Sequence, residues 1–531
     1  MSRRSATGAR WAVGMCLAVG VGAAAALSGC AAPTAAVPRK APVTEEQIGV
    51  LRPARIPPTA IAPGVRLDEP TAAPAISDSL ALAVRSRIDA ILRDPVLARA
   101  QVSLLVEPLR GGPVLYERSA DTPLIPASNM KIVTAALALS VLGPSYAFET
   151  DLATDGEQTG STLAGNLYVR GRGDPSLTTE SVWKLVEELE ALGIERIMGD
   201  VVLDASYFDS LSMASGKASE GDRAYHARVG ALAVNFGSIA VRVRPGARVG
   251  DPALVSLVPA TDFVRVVNRA ETGSSRRPST IDVRRSTSRG RNTVTVTGRV
   301  PAGSSGGTWN RNVDDPTGHF GALFMRCLSR AGIVVDGCAI GGVTPGGAAV
   351  LATHRSKPLG VILRDVNKQS NNFVAEQLLK AVSARVLGPP GTTAGGASLA
   401  AGYLAAAGAD SGSFVVADGS GLSRDNRLTG RTILLVLREM LGDYGAAAEF
   451  VSSLAVGGLD GTLARRLSDE GLRGAVRGKT GLLNGVTALS GIVHTATRGD
   501  LVFSMITNGF EGEQRRAHEV EERVLAALGG L

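Results

Sequence analysis

Cysteine is scarce, with four residues in 531. That count excludes a disulfide-dense secreted scaffold. There is no C-x-x-C, no H-E-x-x-H and no Cys/His cluster, so no metal site is expected. The five histidines are scattered and suggest no Ser–His–Asp arrangement. Lysine is also rare: eight of the 56 basic residues, the rest being arginine. Together with 64 glycines and abundant alanine, the arginine excess reads as the codon bias of a GC-rich genome and gives no nucleic-acid partner. Apolar runs approaching membrane length occur only in the first thirty residues, which excludes a polytopic membrane protein. The glycines have no three-residue period, so a collagen-like chain is excluded too. What remains, 44% hydrophobic and 20% charged, is an ordinary globular composition, long enough for about three domains.

Residues 1–29 read as an export signal: Arg3, Arg4 and Arg10 form a basic start, and Trp11 to Leu27 is uncharged and mostly apolar. Leu27-Ser28-Gly29-Cys30 resembles a bacterial lipobox, which implies cleavage before Cys30 and a diacylglycerol on its thiol. Such an anchor would hold the exported protein at a membrane. Loss of those three arginines lowers the formal charge from +7 to +4, which favours no particular partner. Residues 30–77 hold nine of the 26 prolines and read as an extended tether. Cys327 and Cys338 form a disulfide candidate in an oxidising compartment, with two free thiols as the alternative.

Folded structure is expected from Asp78. A helix over 78–93 precedes strands at Gln101–Val106 and Pro113–Tyr116, then a second helix from about Ser128 to Gly143-Pro144. Short alternating runs make 151–351 β-rich, with one helix near Thr179–Leu192. Eight arginines fall between Arg265 and Arg291, and either decorate solvated strand faces or form a contact surface for an anionic wall polymer. Helices return after Leu359, at Asn372–Val386 and Leu428–Leu441. A strand at Val476–Leu482, a hairpin over Ala488–Thr495 and Leu501–Asn508, and an amphipathic helix over Glu513–Leu528 follow.

Two of the rare lysines carry chemistry. Ser128-Asn129-Met130-Lys131 is an S-x-x-K, and residues three apart on a helix share a face. Ile132 to Leu142 is apolar nearly all round, so this helix is buried, and burial disfavours the lysine ammonium. A lysine so discharged can serve as the base that a serine nucleophile needs. A second S-x-x-K, Ser181 to Lys184, sits among Glu180, Glu187 and Glu188 and reads as surface. Gly303 to Gly307 fits G-x-S-x-G but belongs to a Gly/Ser loop. Ser370-Asn371-Asn372 supplies an S-x-N at a helix entrance, and Lys479-Thr480-Gly481 a K-T-G on a strand near the C-terminus. The three motifs in this order are the set of the penicillin-binding proteins and class A β-lactamases.

The long interval between Ser128 and Ser370, and the absence of a deacylating Glu segment, separate the chain from class A β-lactamases. The sequence resembles the penicillin-binding protein 4-type D-Ala-D-Ala carboxypeptidases, peptidase family S13. The strings that agree are Pro126 to Lys131, Asn166 to Val169 with Gly173-Asp174-Pro175, Ala231 to Asn235, Ser370 to Glu376 and Asp418 to Ser423, spread over 78–528. The resemblance implies an α/β multidomain fold. A penicillin-binding/β-lactamase-like transpeptidase domain, an antiparallel sheet flanked by helices, would comprise 78–150 and 352–531, with a β-rich two-lobed insertion at 151–351. It implies a serine carboxypeptidase acting on peptidoglycan stem peptides, with endopeptidase action on cross-links as an extension and β-lactams as acylating inhibitors, and no cofactor. By the same resemblance Ser128 is the nucleophile, Lys131 its base, and Ser370 a proton relay assisted by Lys479. Asn372 binds the substrate amide, Thr480 with Lys479 binds the terminal carboxylate, and the N–H groups of Ser128 and Leu482, flanking Gly481, form the oxyanion hole. Many relatives carry Thr where Leu482 stands, which affects substrate preference. A β-lactamase or esterase on the same fold, and a peptidoglycan-binding lipoprotein with a weak site, remain the alternatives.

Overall fold

The computed structural model describes residues 78–210, 221–288, 290–495, 497–512 and 514–530. The export signal, Cys30 and the tether lie outside the described residues.

A six-stranded sheet is built from two separated stretches of the chain, 101–118 and 455–508. Its spatial order is Tyr116–Arg118, Gln101–Pro108, Gly499–Asn508, Val486–Thr495, Val476–Leu483 and Ala455–Val456, and all neighbours are antiparallel. Strand alternation sorts its side chains between two cores. Leu105, Ala488, Val502 and Ile506 face the helices Met130–Leu142, Leu359–Asn367, Asn372–Leu387, Thr393–Ala406 and Gly430–Gly442. Leu104, Val106, Leu501, Phe503 and Met505 face the other way, onto Asp78–Ile91 and Gln514–Gly529. Each fully buried aliphatic or aromatic side chain contributes roughly 1.5–3 kcal/mol, so the central strands are stabilised from both sides.

Local sequence explains most element ends. Gly143 stops the helix Met130–Leu142 with φ +80 and an N–H donated to the Leu139 carbonyl at 2.9 Å. Asn371 and Thr429 cap the helices that follow them, accepting from the N–H groups of Val374 and Thr432. Two details differ from the expectation. The second strand begins at Tyr116, three residues late, because Pro113 cannot donate to a ladder and Leu115 closes the turn onto the Val106 carbonyl at 3.0 Å. The helix Thr393–Ala406 was hidden by its glycines. A Cβ at Gly396 would stand 2.4 Å from the Leu379 carbonyl, so glycine here permits two helices to touch.

The insertion has two parts. A five-stranded sheet, ordered Ala339–Gly341, Val201–Asp204, Leu167–Gly171, Glu149–Thr154 and Ala349–Arg355, packs on the helices Thr179–Ala191 and Pro316–Arg330. The second of these helices starts at the Asp315 cap with Pro316 in its first turn, and its apolar stripe Phe320, Leu323, Phe324, Cys327 and Leu328 has helical spacing. The other part is a sandwich of two three-stranded sheets around Val241, Val243, Val283, Val294 and Val296.

The disulfide candidate is not formed. Cys327 and Cys338 are both free thiols. Cys327 lies on the core-facing stripe of Pro316–Arg330, among Phe324 and Leu328, where burial pushes its thiol up to about 11. Cys338 is exposed at the sheet edge. The Arg265–Arg291 segment is also less uniform than its density suggests: Arg284 pairs with Asp282 at 2.7 Å, and Arg285 turns inward to Asp314 at 2.8 Å.

Candidate active site

Ser128 sits in the single 3-10 turn Ala127–Asn129, immediately ahead of the helix that carries Lys131. The helix thus starts two residues later than expected. The turn is held in a sparsely populated conformation, with Ala127 at φ +46, a geometry that costs a β-carbon residue of order 1–3 kcal/mol. Two glycines clamp it. A Cβ at Gly421 would lie 1.8 Å from the Ala127 carbonyl oxygen, and one at Gly481 would lie 2.8 Å from the Pro126 carbonyl. The glycine of K-T-G is therefore a close-approach residue that lets the strand run beside the Ser128 turn.

Lys131 is wholly buried, and its three ammonium protons have three acceptors. Nζ donates to Ser128 Oγ at 3.1 Å, to Asn372 Oδ1 at 2.7 Å and to the Ser420 carbonyl at 2.6 Å. Burial lowers its pKa from 10.5 to about 8, against the opposing pull of the Asp418 and Glu376 carboxylates. At that value ~10% of the amine is neutral at pH 7, and its lone pair then faces Ser128. Lys479, equally buried, donates to Ser370 Oγ at 2.9 Å and to the Thr480 carbonyl at 2.7 Å. Burial, then the charge of Lys131, hold its pKa well below the ordinary lysine value. Ser370 also has a left-handed backbone, φ +55. Thr480 donates its hydroxyl to Thr462 Oγ1 at 2.8 Å, and Leu482 stands 45% exposed at the rim.

Ser128, Lys131, Ser370, Asn372, Lys479 and Thr480 thus form two hydrogen-bonded groups, one around each lysine. The surface S-x-x-K is separate: Lys184 is exposed on the Thr179–Ala191 helix.

Further residues that the motifs do not name support the site. Glu376 accepts the N–H groups of Gly419 at 3.1 Å and Ser420 at 2.8 Å, fixing the carbonyl that holds Lys131. Burial, then Asp418, raises the Glu376 carboxyl to about 7. Asp418 itself ties down Gly421, Ser423 and Asn426. The signal for Glu376 was present, an acid in the middle of an apolar helix. Asp418, whose partners lie three to eight residues on, falls in one of the strings that carry the family resemblance, whereas Thr462 reaches Thr480 from 18 residues away and gave no signal. Asn372 also donates to the Tyr225 carbonyl of the insertion at 3.0 Å. Beside that contact opens a cleft of about 550 Å³, lined by Glu180, Tyr225, Phe236, Ala240, Ser370 and Asn372 among others.

The D-Ala-D-Ala carboxypeptidase 3 (S13) family model matches residues 84–527. The chain belongs to the S13 peptidase family. The D-alanyl-D-alanine carboxypeptidase of Actinomadura sp. (strain R39) is 37% identical over 462 residues, covering 83% of this chain and 84% of that one. A D-alanyl-D-alanine carboxypeptidase of Haemophilus influenzae is 27% identical over 432 residues, 80% of this chain and 89% of its own. The crystal structure of penicillin binding protein 4 from Haemophilus influenzae superposes with a TM-score of 0.72 at 25% identity, covering 82% of this chain and 97% of that one. The same protein has been solved in complex with a β-lactam.

Proposed function

We propose that this S13 chain is an exported serine D-Ala-D-Ala carboxypeptidase acting on peptidoglycan stem peptides. The observation that carries the reading is the buried Lys131 amine, lowered to about 8 and bonded to Ser128 Oγ at 3.1 Å. A serine hydroxyl is a poor nucleophile until a neighbouring base takes its proton.

In the proposed mechanism Ser128 Oγ attacks the carbonyl carbon of the penultimate D-Ala while its proton passes to Lys131. The oxyanion is met by the backbone N–H groups of Ser128 and Leu482, which need no particular side chain. The C–N bond then breaks. The departing D-Ala nitrogen takes a proton from Ser370, which Lys479 resupplies across their 2.9 Å contact. Thr480, with Lys479 behind it, receives the terminal carboxylate, and Asn372 holds the substrate amide. Lys131 gives up the serine proton, replacing the one that Ser370 and Lys479 lost to the leaving group; the neutral amine then takes a proton from water, which hydrolyses the Ser128 ester, and returns that proton to Ser128 Oγ. A β-lactam acylates Ser128 in the same way. Residues 1–29 act as an export signal, and lipid on Cys30 anchors the enzyme at a membrane with its site facing the wall.

The test is release of D-Ala from a soluble peptide ending in D-Ala-D-Ala, alongside the lifetime of the penicillin adduct. D-Ala release with an adduct lasting minutes supports the peptidase. Rapid penicillin turnover without D-Ala release would establish a β-lactamase instead, and neither label nor release a binding lipoprotein.

A further inference from the structure

The sandwich of the insertion has two outer faces, and only one of them borders the cleft. One is the outer face of the sheet formed by Val264–Gly273, Arg291–Pro301 and Asp282–Ser288. Its exposed charges are five arginines (Arg265, Arg269, Arg284, Arg291 and Arg299) against Asp282 and Glu271, with Arg284 bonded to Asp282 and Arg299 3.5 Å from Glu271, and it does not reach the cleft. The other is the outer face of the sheet formed by Leu254–Val258, Ser238–Arg244 and Gly307–Asn312.

The second face begins inside the cleft lined by Ser370 and Asn372. Ala240 pairs with Val258 on one side and Asn310 on the other, and all three line the cleft beside Ser370 and Asn372. Two residues along each strand, Arg242 lies between Ser256 and Thr308, and two further on Arg244 lies opposite Leu254. At about 3.3 Å per residue, the guanidinium-bearing positions stand roughly 7 and 13 Å beyond the cleft row. Both arginines are exposed and have no ion pair or side-chain hydrogen bond among the described residues. Within these three rows there is no carboxylate. Two large aliphatic side chains, Leu254 (58% exposed) and Val258 (39% exposed), lie among them. The face is thus cationic, partly apolar and open, and it continues the cleft wall outward.

We infer that this face is a binding track for polymeric peptidoglycan, with Arg242 and Arg244 receiving carboxylates of the stem peptides beyond the segment held at Ser128. The inference rests on the proposed carboxypeptidase function and deepens it. The small end of the substrate would be recognised at the two lysines, and the wall polymer on the insertion. Continuity with the cleft favours the substrate's own strand over an unrelated partner, and charge complementarity favours its carboxylates. A pair of solvated guanidiniums adds affinity that salt screens within about a Debye length.

The experiment uses the full chain and the double variant R242E/R244E, with R242K/R244K as the charge-preserving control. Three quantities are read: D-Ala release from a soluble D-Ala-D-Ala peptide, pelleting with purified sacculi, and D-Ala release from those sacculi. The expected result is an unchanged rate on the soluble peptide, with sacculus binding and turnover reduced about tenfold or more by reversal and largely kept by lysine. Wild-type binding should weaken as salt rises from about 50 to about 200 mM, and with sacculi whose carboxylates have been amidated. Sacculus turnover that matches wild type in R242E/R244E would overturn the inference. So would binding lost when phosphodiester polymers are stripped from the wall but kept when carboxylates are amidated. If the wild type fails on the soluble peptide, the carboxypeptidase function falls, while sacculus pelleting still tests the track.

Discussion

Replacing Lys131 with methionine separates the stability and the chemistry of the site. Methionine keeps the volume, removes the charge and leaves the helix propensity nearly unchanged. Lowering of the lysine from 10.5 to about 8 means that, below pH 8, the folded protein holds a buried ammonium at a cost of about 3 kcal/mol. The sign follows from proton counting. Between pH 8 and 10.5 the unfolded chain binds the proton and the folded one does not, so stability rises with pH across that window and the cost is full below it. K131M removes this cost at pH 7 and, in exchange, leaves Asn372 Oδ1 and the Ser420 carbonyl without their donor. Each lost partner costs about 1–3 kcal/mol, so the two effects nearly cancel and the melting temperature should move by only a few degrees at pH 7. Acylation should not be spared. Loss of a general base is worth roughly 10²–10⁴ in rate, read as the labelling rate of a fluorescent penicillin. The wild-type rate should climb about tenfold per pH unit up to pH ~8 and then level, and the variant's rate should lose that dependence. A folded K131M that labels at the wild-type rate with the wild-type pH profile would refute the assignment of Lys131 as base.

Glu376→Gln keeps an oxygen for the N–H groups of Gly419 and Ser420 but removes a carboxylate that holds the Lys131 pKa up. The acid limb of the acylation profile should therefore move to lower pH, and an upward move would contradict the electrostatic assignment. Asn372→Ala should slow acylation by roughly 10²-fold or more, since the side chain that orients Lys131 also binds the Tyr225 carbonyl. An acylation rate within about twofold of wild type would contradict that role. In the folded protein, Cys338 should alkylate promptly and Cys327 only on unfolding, with no change in melting temperature on adding reductant. A reductant-dependent melt would restore the disulfide.

Much of this site was readable because its chemistry is local. S-x-x-K fits in one helical turn, K-T-G in one strand, and an apolar flank announces that Lys131 is buried. Ser128 and Lys131 meet at 3.1 Å even though the helix begins only at Met130, since the 3-10 turn keeps the two side chains on one side. The missed parts are those that depend on distant segments. Thr462 reaches Thr480 from a separate 3-10 turn. The helix Thr393–Ala406 has glycines where two helices touch, which in sequence look like loop. Arginine density pointed to 265–291. Among the described residues, unpaired guanidiniums do occur there, at Arg265, Arg269 and Arg291, but strand register places beside the cleft only Arg242 and Arg244, two arginines interrupting a short apolar strand.

The central claim is that Ser128 is the nucleophile. It is tested most directly by treating the protein with penicillin, digesting with trypsin and locating the adduct by mass spectrometry. The account predicts one penicilloyl group on the peptide from Ser119 to Lys131, fragmenting to place it on Ser128 and absent from Ser128→Ala. An adduct on Ser370, or labelling that survives Ser128→Ala, would contradict it.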